Sequence, residues 1–182
     1  MTWPALALRA RRQLAALTEP AHRRQVARFC FLSAALLLPG GYAVARWGLA
    51  IDPQAVRCLP DVRAVLIDRW QLPTARGELV VFEAEGLEPA FADGTLLVKL
   101  LEGLPGDVVD VTADGVRVNG RPVAAGLALA SKLGHDPADF TRHYRVPQGQ
   151  FLALGTDPSS LDGRYYGPLP QSRIRGRARV LF

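Results

Sequence analysis

The sequence predicts a mostly β domain, a barrel or sandwich with a short helical insertion, carried behind one N-terminal transmembrane helix. Three observations predict it. A long uncharged apolar run lies near the start, the runs after it are short and bounded by turn residues, and turn dipeptides separate alternating Val-rich segments. A chain of 182 residues has room for one domain plus an anchor, not for two full domains.

The apolar run FCFLSAALLLPGGYAVA carries no charge between Arg28 and Arg46. As a helix it extends about 25 Å, and Trp47 and Leu49 carry it toward the roughly 30 Å of a bilayer core. A buried globular helix shows a polar face at 3.6-residue spacing, and this run has none. A cleaved signal peptide keeps its basic residues near the start and a small-x-small site after the run. Here a long segment precedes the run, and Ala43-Val44-Ala45 is a weak site. An uncleaved signal anchor over 28–47 is the reading that remains.

Arg9, Arg11, Arg12, Arg23, Arg24 and Arg28 precede the run against a single acid, Glu19. By the positive-inside rule, residues 1–27 are a cytoplasmic basic segment and 48–182 an extracytoplasmic domain. Within the first segment, Trp3 to Leu17 reads as an interfacial amphipathic helix or a solvated tail.

The 22 basic and 17 acidic residues leave a net charge of +5, concentrated at the two ends. Arg173, Arg175, Arg177 and Arg179 form the second cluster, without the interleaved aromatics of a nucleic-acid surface, so no nucleic-acid partner is expected. His22, His135 and His143 have no metal-ligand spacing, and no metal or other cofactor is expected. Cys30 lies inside the apolar run and Cys58 beyond it, which reads Cys58 as a free thiol.

Strands are expected at Ala64–Ile67, Glu78–Phe82, Leu96–Leu101, Val108–Val111, Val116–Val118, Phe151–Leu154 and Arg177–Leu181. Asp114-Gly115 signals a hairpin between two Val-rich strands, and Asn119-Gly120 a second turn. The stretch 124–147 reads as an insertion: Gly126–Leu133 has helical composition, and the rest, to Pro147, is polar.

Lys99 stands alone among Leu96, Leu97, Val98, Leu100 and Leu101. Pattern alone favours an edge position with the amine snorkelling to water. The functional alternative is a buried lysine, whose ammonium is disfavoured and whose neutral amine can act as a base. Ordered motifs decide between these. Lys99 followed by Gly103-Leu104-Pro105-Gly106-Asp107 resembles the lysine box of the signal peptidase I family, a Lys followed four residues later by G-x-P-G-D. Gly155-Thr156-Asp157 through Ser160-Leu161-Asp162-Gly163-Arg164 and on to Gly167-Pro168 is similar to that family's G-D-N…S-x-D-S-R segment. The branch resembled is that of the conjugative-transfer, pilin-maturation peptidases, whose nucleophile box reads S-x-P just after the anchor. Here the matching place is Cys58-Leu59-Pro60.

The resemblance implies a membrane-anchored endopeptidase that cleaves after small residues in membrane-tethered exported precursors. The precursor it suggests is a pilin-like subunit of a conjugation or type IV secretion apparatus, with other transfer components as further partners. The site would stand in the periplasmic space, on the outer side of a bacterial inner membrane. It further implies Cys58 as nucleophile, Lys99 as general base, Ser160 orienting the Lys99 amine, and Asp162 with Arg164 as a supporting ion pair. The Cys58 backbone amide would serve the oxyanion; the hydroxyl that can assist it in the family is replaced by Val56, and Gly163 and Leu100 also depart from the family pattern. A cysteine suits the chemistry, since a thiol needs less help from a base than a hydroxyl does. The alternative is a catalytically inactive homologue that binds or assembles parts of a secretion apparatus.

Overall fold

The computed structural model describes residues 20–52 and 58–182; the readings placed on Trp3 to Leu17, on the first arginine cluster as far as Arg12, and on Val56 lie outside them. The chain divides into two compact units that part between Ala45 and Arg46.

Among the described residues before the strands stands a helix, α1 (Pro20–Arg46), which runs 27 residues and about 40 Å. Its stretch His22–Arg46 has mean hydropathy 1.4, long and apolar enough to cross a membrane. The side chains of Phe29, Phe31, Leu36, Leu38 and Val44 are exposed. Apolar surface of that extent in a helix is the signature of a segment that meets lipid or another protein, because water disfavours it.

In the second unit, strands begin directly with β1 (Trp47–Ile51), β2 (Ala64–Asp68), β3 (Leu79–Glu83) and β4 (Leu96–Gly103). β5 (Val108–Thr112), β6 (Gly115–Val118), β7 (Arg121–Ala125) and β8 (Arg142–Arg145) follow. β9 (Gln150–Leu154), a helical turn α2 (Gly163–Tyr166), β10 (Leu169–Pro170) and β11 (Ile174–Val180) complete the chain. Two sheets result: seven strands in the order β1-β2-β11-β3-β4-β9-β10, and four in the order β7-β6-β5-β8. The paired contacts are antiparallel throughout.

Each strand expected from the sequence is present with ends that coincide or shift by at most two residues, except that β11 starts three residues earlier, at Ile174. Both hairpins form. Thr112 pairs with Gly115, so the first turn is Ala113-Asp114. Val118 pairs with Arg121, and Asn119 and Gly120 take φ of 50° and 77°, the left-handed pair that a two-residue turn requires.

The short helix expected over Gly126–Leu133 is confined to its last three residues and is 3-10 rather than α. Two short 3-10 segments stand in the region, Ser131–Leu133 and Pro137–Phe140, and the polar stretch after them contains β8. Gly126 at φ 60° and Gly134 at 76° interrupt right-handed helix on both sides, and Pro137 starts the second segment with Asp136 as its cap.

Strand β4 shows how the pattern is read out. Leu97, Lys99 and Leu101 are buried on one face, while Val98 and Leu100 are half-buried on the other. The first face packs with Val80, Phe82, Phe151 and Ala153; the other shares a cluster with Leu59, Val65, Ile67 and Val81. β9 is buried on both faces: Phe151 and Ala153 join the Lys99 side, and Leu152 and Leu154 join Val109, Val111, Val116 and Val118 of the small sheet. At about 1.5–3 kcal/mol for each large apolar side chain removed from water, β9 is the seam that fixes the small sheet to the large one.

Just past Lys99, Glu102 is buried and meets the largely exposed Arg121 at 3.2 Å. Burial raises its carboxyl, and Arg121 and Arg76 only partly offset this. A raised folded-state value means that the protonated acid is favoured in the fold. Its contribution is fully present below the unfolded range near pH 4 and is lost as pH rises through the folded value. Glu102→Gln is therefore expected to melt with the parent at pH 4 and above it at pH 8, by less than about 1 kcal/mol. Scanning calorimetry at the two pH values checks this; a Glu102→Gln protein less stable at pH 8 means that the Arg121 pair outweighs burial.

Candidate active site

Lys99 is only 2% exposed. It faces Val80 across the β3–β4 pair and has Leu97 and Leu101 on either side of it along the same face. Its Nζ donates to Ser160 Oγ at 2.9 Å, and Ser160 is itself buried. Of the two readings open to Lys99 from its pattern, the snorkelling one fails. β4 is an interior strand, and the amine ends on a hydroxyl inside the protein rather than in water.

Ser160 is held by a compact turn after β9. Its amide donates to Asp157 O at 3.0 Å, and the Asp157 carboxylate accepts from the Ser159 amide at 2.7 Å. The Ser159 hydroxyl and amide hold the Asp157 carboxyl below its usual range. Asp162 then caps α2, accepting from the Arg164 amide. Asp162 and Arg164 are both completely buried. Arg164 Nε meets Asp162 Oδ1 at 2.9 Å and Nη2 meets Oδ2 at 3.0 Å, a two-pronged pair. Its further bonds run to Gly155 O (2.7 Å) and Ala125 O (2.7 Å), while Asp162 accepts from the Gly155 amide at 2.7 Å. The pair thus fastens the Ser160 segment to itself and to the insertion. The bond that joins this segment to the lysine box is Ser160 to Lys99.

Cys58 meets the same turn from the other side through its carbonyl, which accepts from the amides of Thr156 (3.0 Å) and Asp157 (3.2 Å). A Cβ on Gly155 would come within 2.7 Å of Cys58 O and 2.4 Å of Ser160 Oγ. Only glycine permits that approach. Among the described residues, none accepts from the Cys58 amide. Cys58 and Lys99 both line a cavity of about 230 Å³ whose walls include Leu59, Val62, Phe91 and Leu97. The walls are mainly apolar, which suits a short uncharged side chain of a peptide.

The motif's Asp107 does not reach the cavity. It accepts from the Leu104 amide (2.7 Å), Asn119 Nδ2 (2.8 Å) and the Arg76 guanidinium, so G-x-P-G-D builds the turn that ends β4 and starts β5. Burial alone would raise its carboxyl, but these donors together hold it below the ordinary value. The cavity walls Val62 and Phe91 were not legible in advance: each is an ordinary apolar residue in a loop, and no motif marks it. Tyr166 was also missed. Its hydroxyl is buried without a hydrogen-bond partner among the described residues, its ring packs in the Lys99-side cluster, and burial, with Asp162 and Cys58 nearby, pushes the phenol well above its usual range.

A family profile described as signal peptidase, peptidase S26, matches residues 57–182, from beside Cys58 through both motif segments. The chain belongs to the signal peptidase S26 family. Among signal peptidases it is similar to a probable signal peptidase I-2 of Synechocystis sp., 35% identical over 108 residues, 59% of this chain and 47% of that protein. It is also similar to the conjugal transfer protein TraF of Agrobacterium fabrum, 37% identical over 87 residues, 47% of this chain and 48% of that one. The chain thus spans about half the length of the curated relatives it matches. A signal peptidase I from Enterococcus faecalis aligns at 25% identity and TM-score 0.38, over 62% of this chain and 99% of that one.

Proposed function

We propose that the chain is a membrane-anchored endopeptidase of signal peptidase I type, with Cys58 as nucleophile and Lys99 as general base. The observation that carries this reading is a buried lysine whose amine donates to the Ser160 hydroxyl and which lines one mainly apolar cavity together with Cys58. Lys99 takes the thiol proton, and the sulfur adds to the scissile carbonyl carbon. The tetrahedral oxyanion is met by backbone amide at Cys58. As it collapses, the C–N bond breaks and the leaving amine takes the proton from the Lys99 ammonium. Lys99 then deprotonates water, which releases the acyl group from sulfur and restores the thiol. Ser160 fixes the direction of the amine in both halves.

In this reading residues 28–47 anchor the chain in a bacterial inner membrane, with 1–27 cytoplasmic and 48–182 outside. The substrate is a membrane-tethered precursor cleaved after a small residue. The similarity to a conjugal transfer protein supports a conjugation setting, for which the precursor in this reading is a pilin-like subunit of a conjugation or type IV secretion apparatus. Tethering enzyme and substrate to one bilayer raises their effective concentration without any new contact.

A test that needs no knowledge of the precursor uses the thiol itself. In a Cys30→Ser background in detergent micelles, Lys99→Ala is expected to slow alkylation of Cys58 by iodoacetamide at pH 7 roughly tenfold, because no amine is then present to take the thiol proton. An unchanged rate means that the two side chains do not act as a pair.

A further inference from the structure

We propose that Arg142, on β8 of the small sheet, is a positioning residue for the Lys99 amine, acting through the turn that carries Ser160. The inference rests on the reading of Lys99 and Ser160 given above and extends the working site into the second sheet.

Arg142 Nη2 donates to Gly163 O and to Arg164 O, both at 3.1 Å. These carbonyls belong to α2, a helical turn of 4 residues; Gly163 O also accepts from the Gly167 amide at 2.9 Å, so Arg142 adds a second donor at the end of the turn. Asp162 caps the same turn, and Ser160 stands two residues ahead of it. The order of connection is therefore Arg142, the α2 carbonyls, Asp162, Ser160 and Lys99 Nζ. Other parts of the insertion bear on the same turn. Leu129 N donates to Tyr165 Oη at 2.9 Å, and the Phe140 ring meets the Tyr165 ring edge-on at 5.0 Å. The small sheet and its loops thus grip α2 from outside, while nothing in them lines the cavity of Cys58 and Lys99.

The Lys99–Ser160 contact is a single bond of 2.9 Å. A shift of the turn by about 1 Å takes it out of hydrogen-bond range. A misplacement of that size at a reacting group lowers turnover by up to about a hundredfold. Loss of Arg142 should therefore appear in kcat. KM should move little, because the cavity walls come from other segments.

The experiment uses the full chain in detergent micelles and an internally quenched peptide carrying an Ala-x-Ala segment. Arg142→Ala is expected to lower kcat about tenfold with KM within about twofold of the parent. Both bonds come from one nitrogen, so Arg142→Lys should keep most of the turnover. In a Ser160→Ala background, Arg142→Ala should add nothing, since the link it supports is already cut. If Arg142→Ala does not fold, Arg142→Gln takes its place, because it keeps the aliphatic stem of the side chain. Unchanged kcat in Arg142→Ala, where Ser160→Ala does lower it, overturns this proposal alone. So does an equal loss in the Ser160→Ala background. Unchanged kcat in Ser160→Ala itself overturns the Lys99–Ser160 reading, and the role of Arg142 with it.

Discussion

Cys58→Ala is expected to lower cleavage of an Ala-x-Ala peptide, and of a natural precursor, by at least about a thousandfold. That equals about 4 kcal/mol of transition-state stabilisation. The size follows from the chemistry. Without sulfur, no acyl intermediate forms, and Lys99 can only act on water that nothing holds against the carbonyl. The fold should hardly notice the change. Cys58 is half-buried, its described hydrogen bonds are made by its main-chain carbonyl, and removal of one sulfur should alter stability by no more than about 1 kcal/mol. The measurement pairs kcat/KM with a melting curve, so that loss of chemistry is separated from loss of structure. Full processing by Cys58→Ala would end the peptidase mechanism and leave the binding or assembly role as the better account. Cys58→Ser is the informative companion: measurable turnover would mean that Lys99 can also activate a hydroxyl in this setting.

The largest effect on stability is expected at Arg164. Its guanidinium is wholly buried and bonds to the Asp162 carboxylate, Gly155 O and Ala125 O. Arg164→Ala removes all of these at once and leaves the Asp162 carboxylate buried without its counter-charge. Breaking a buried pair on one side costs about 3–5 kcal/mol. That is a large share of the roughly 5–15 kcal/mol that holds a domain together, and it corresponds to a fall in Tm on the order of 10 °C. The double change Asp162→Asn with Arg164→Met should be milder than Arg164→Ala, because no charge is stranded. A single variant that melts within about 2 °C of the parent would show that water replaces the lost contacts and that the pair is not a clamp.

The fold was legible where strands are interior and opaque where they are edges. β2, β3, β4, β5, β6, β9 and β11 each have a partner on both sides, and burial gives them apolar patterns that can be read directly. The unforeseen β1, β7, β8 and β10 are the four edge strands of the two sheets. An edge needs no continuous apolar face, so Arg121-Pro122-Val123 and Arg142-His143-Tyr144-Arg145 look like loop. The helix expected over Gly126–Leu133 is shorter than its composition suggests, a 3-10 segment over Ser131–Leu133. Composition favoured helix there, but the left-handed glycines at either end prevent it from propagating.

The candidate site divides in the same way. By itself the sequence determined that Lys99 lies in an apolar strand, that two motifs follow in order, and that a cysteine stands at Cys58-Leu59-Pro60. These are local facts, set by residue type and spacing. Only the tertiary structure decided that Lys99 points inward to Ser160 and that Gly155 lets the Cys58 carbonyl and the Ser160 hydroxyl converge. It also decided that the Asp162–Arg164 pair fastens the Ser160 turn to the insertion, within reach of Arg142. These are contacts between segments some 20 to 100 residues apart. No local pattern encodes them, because each depends on which strands become neighbours when apolar surface leaves water.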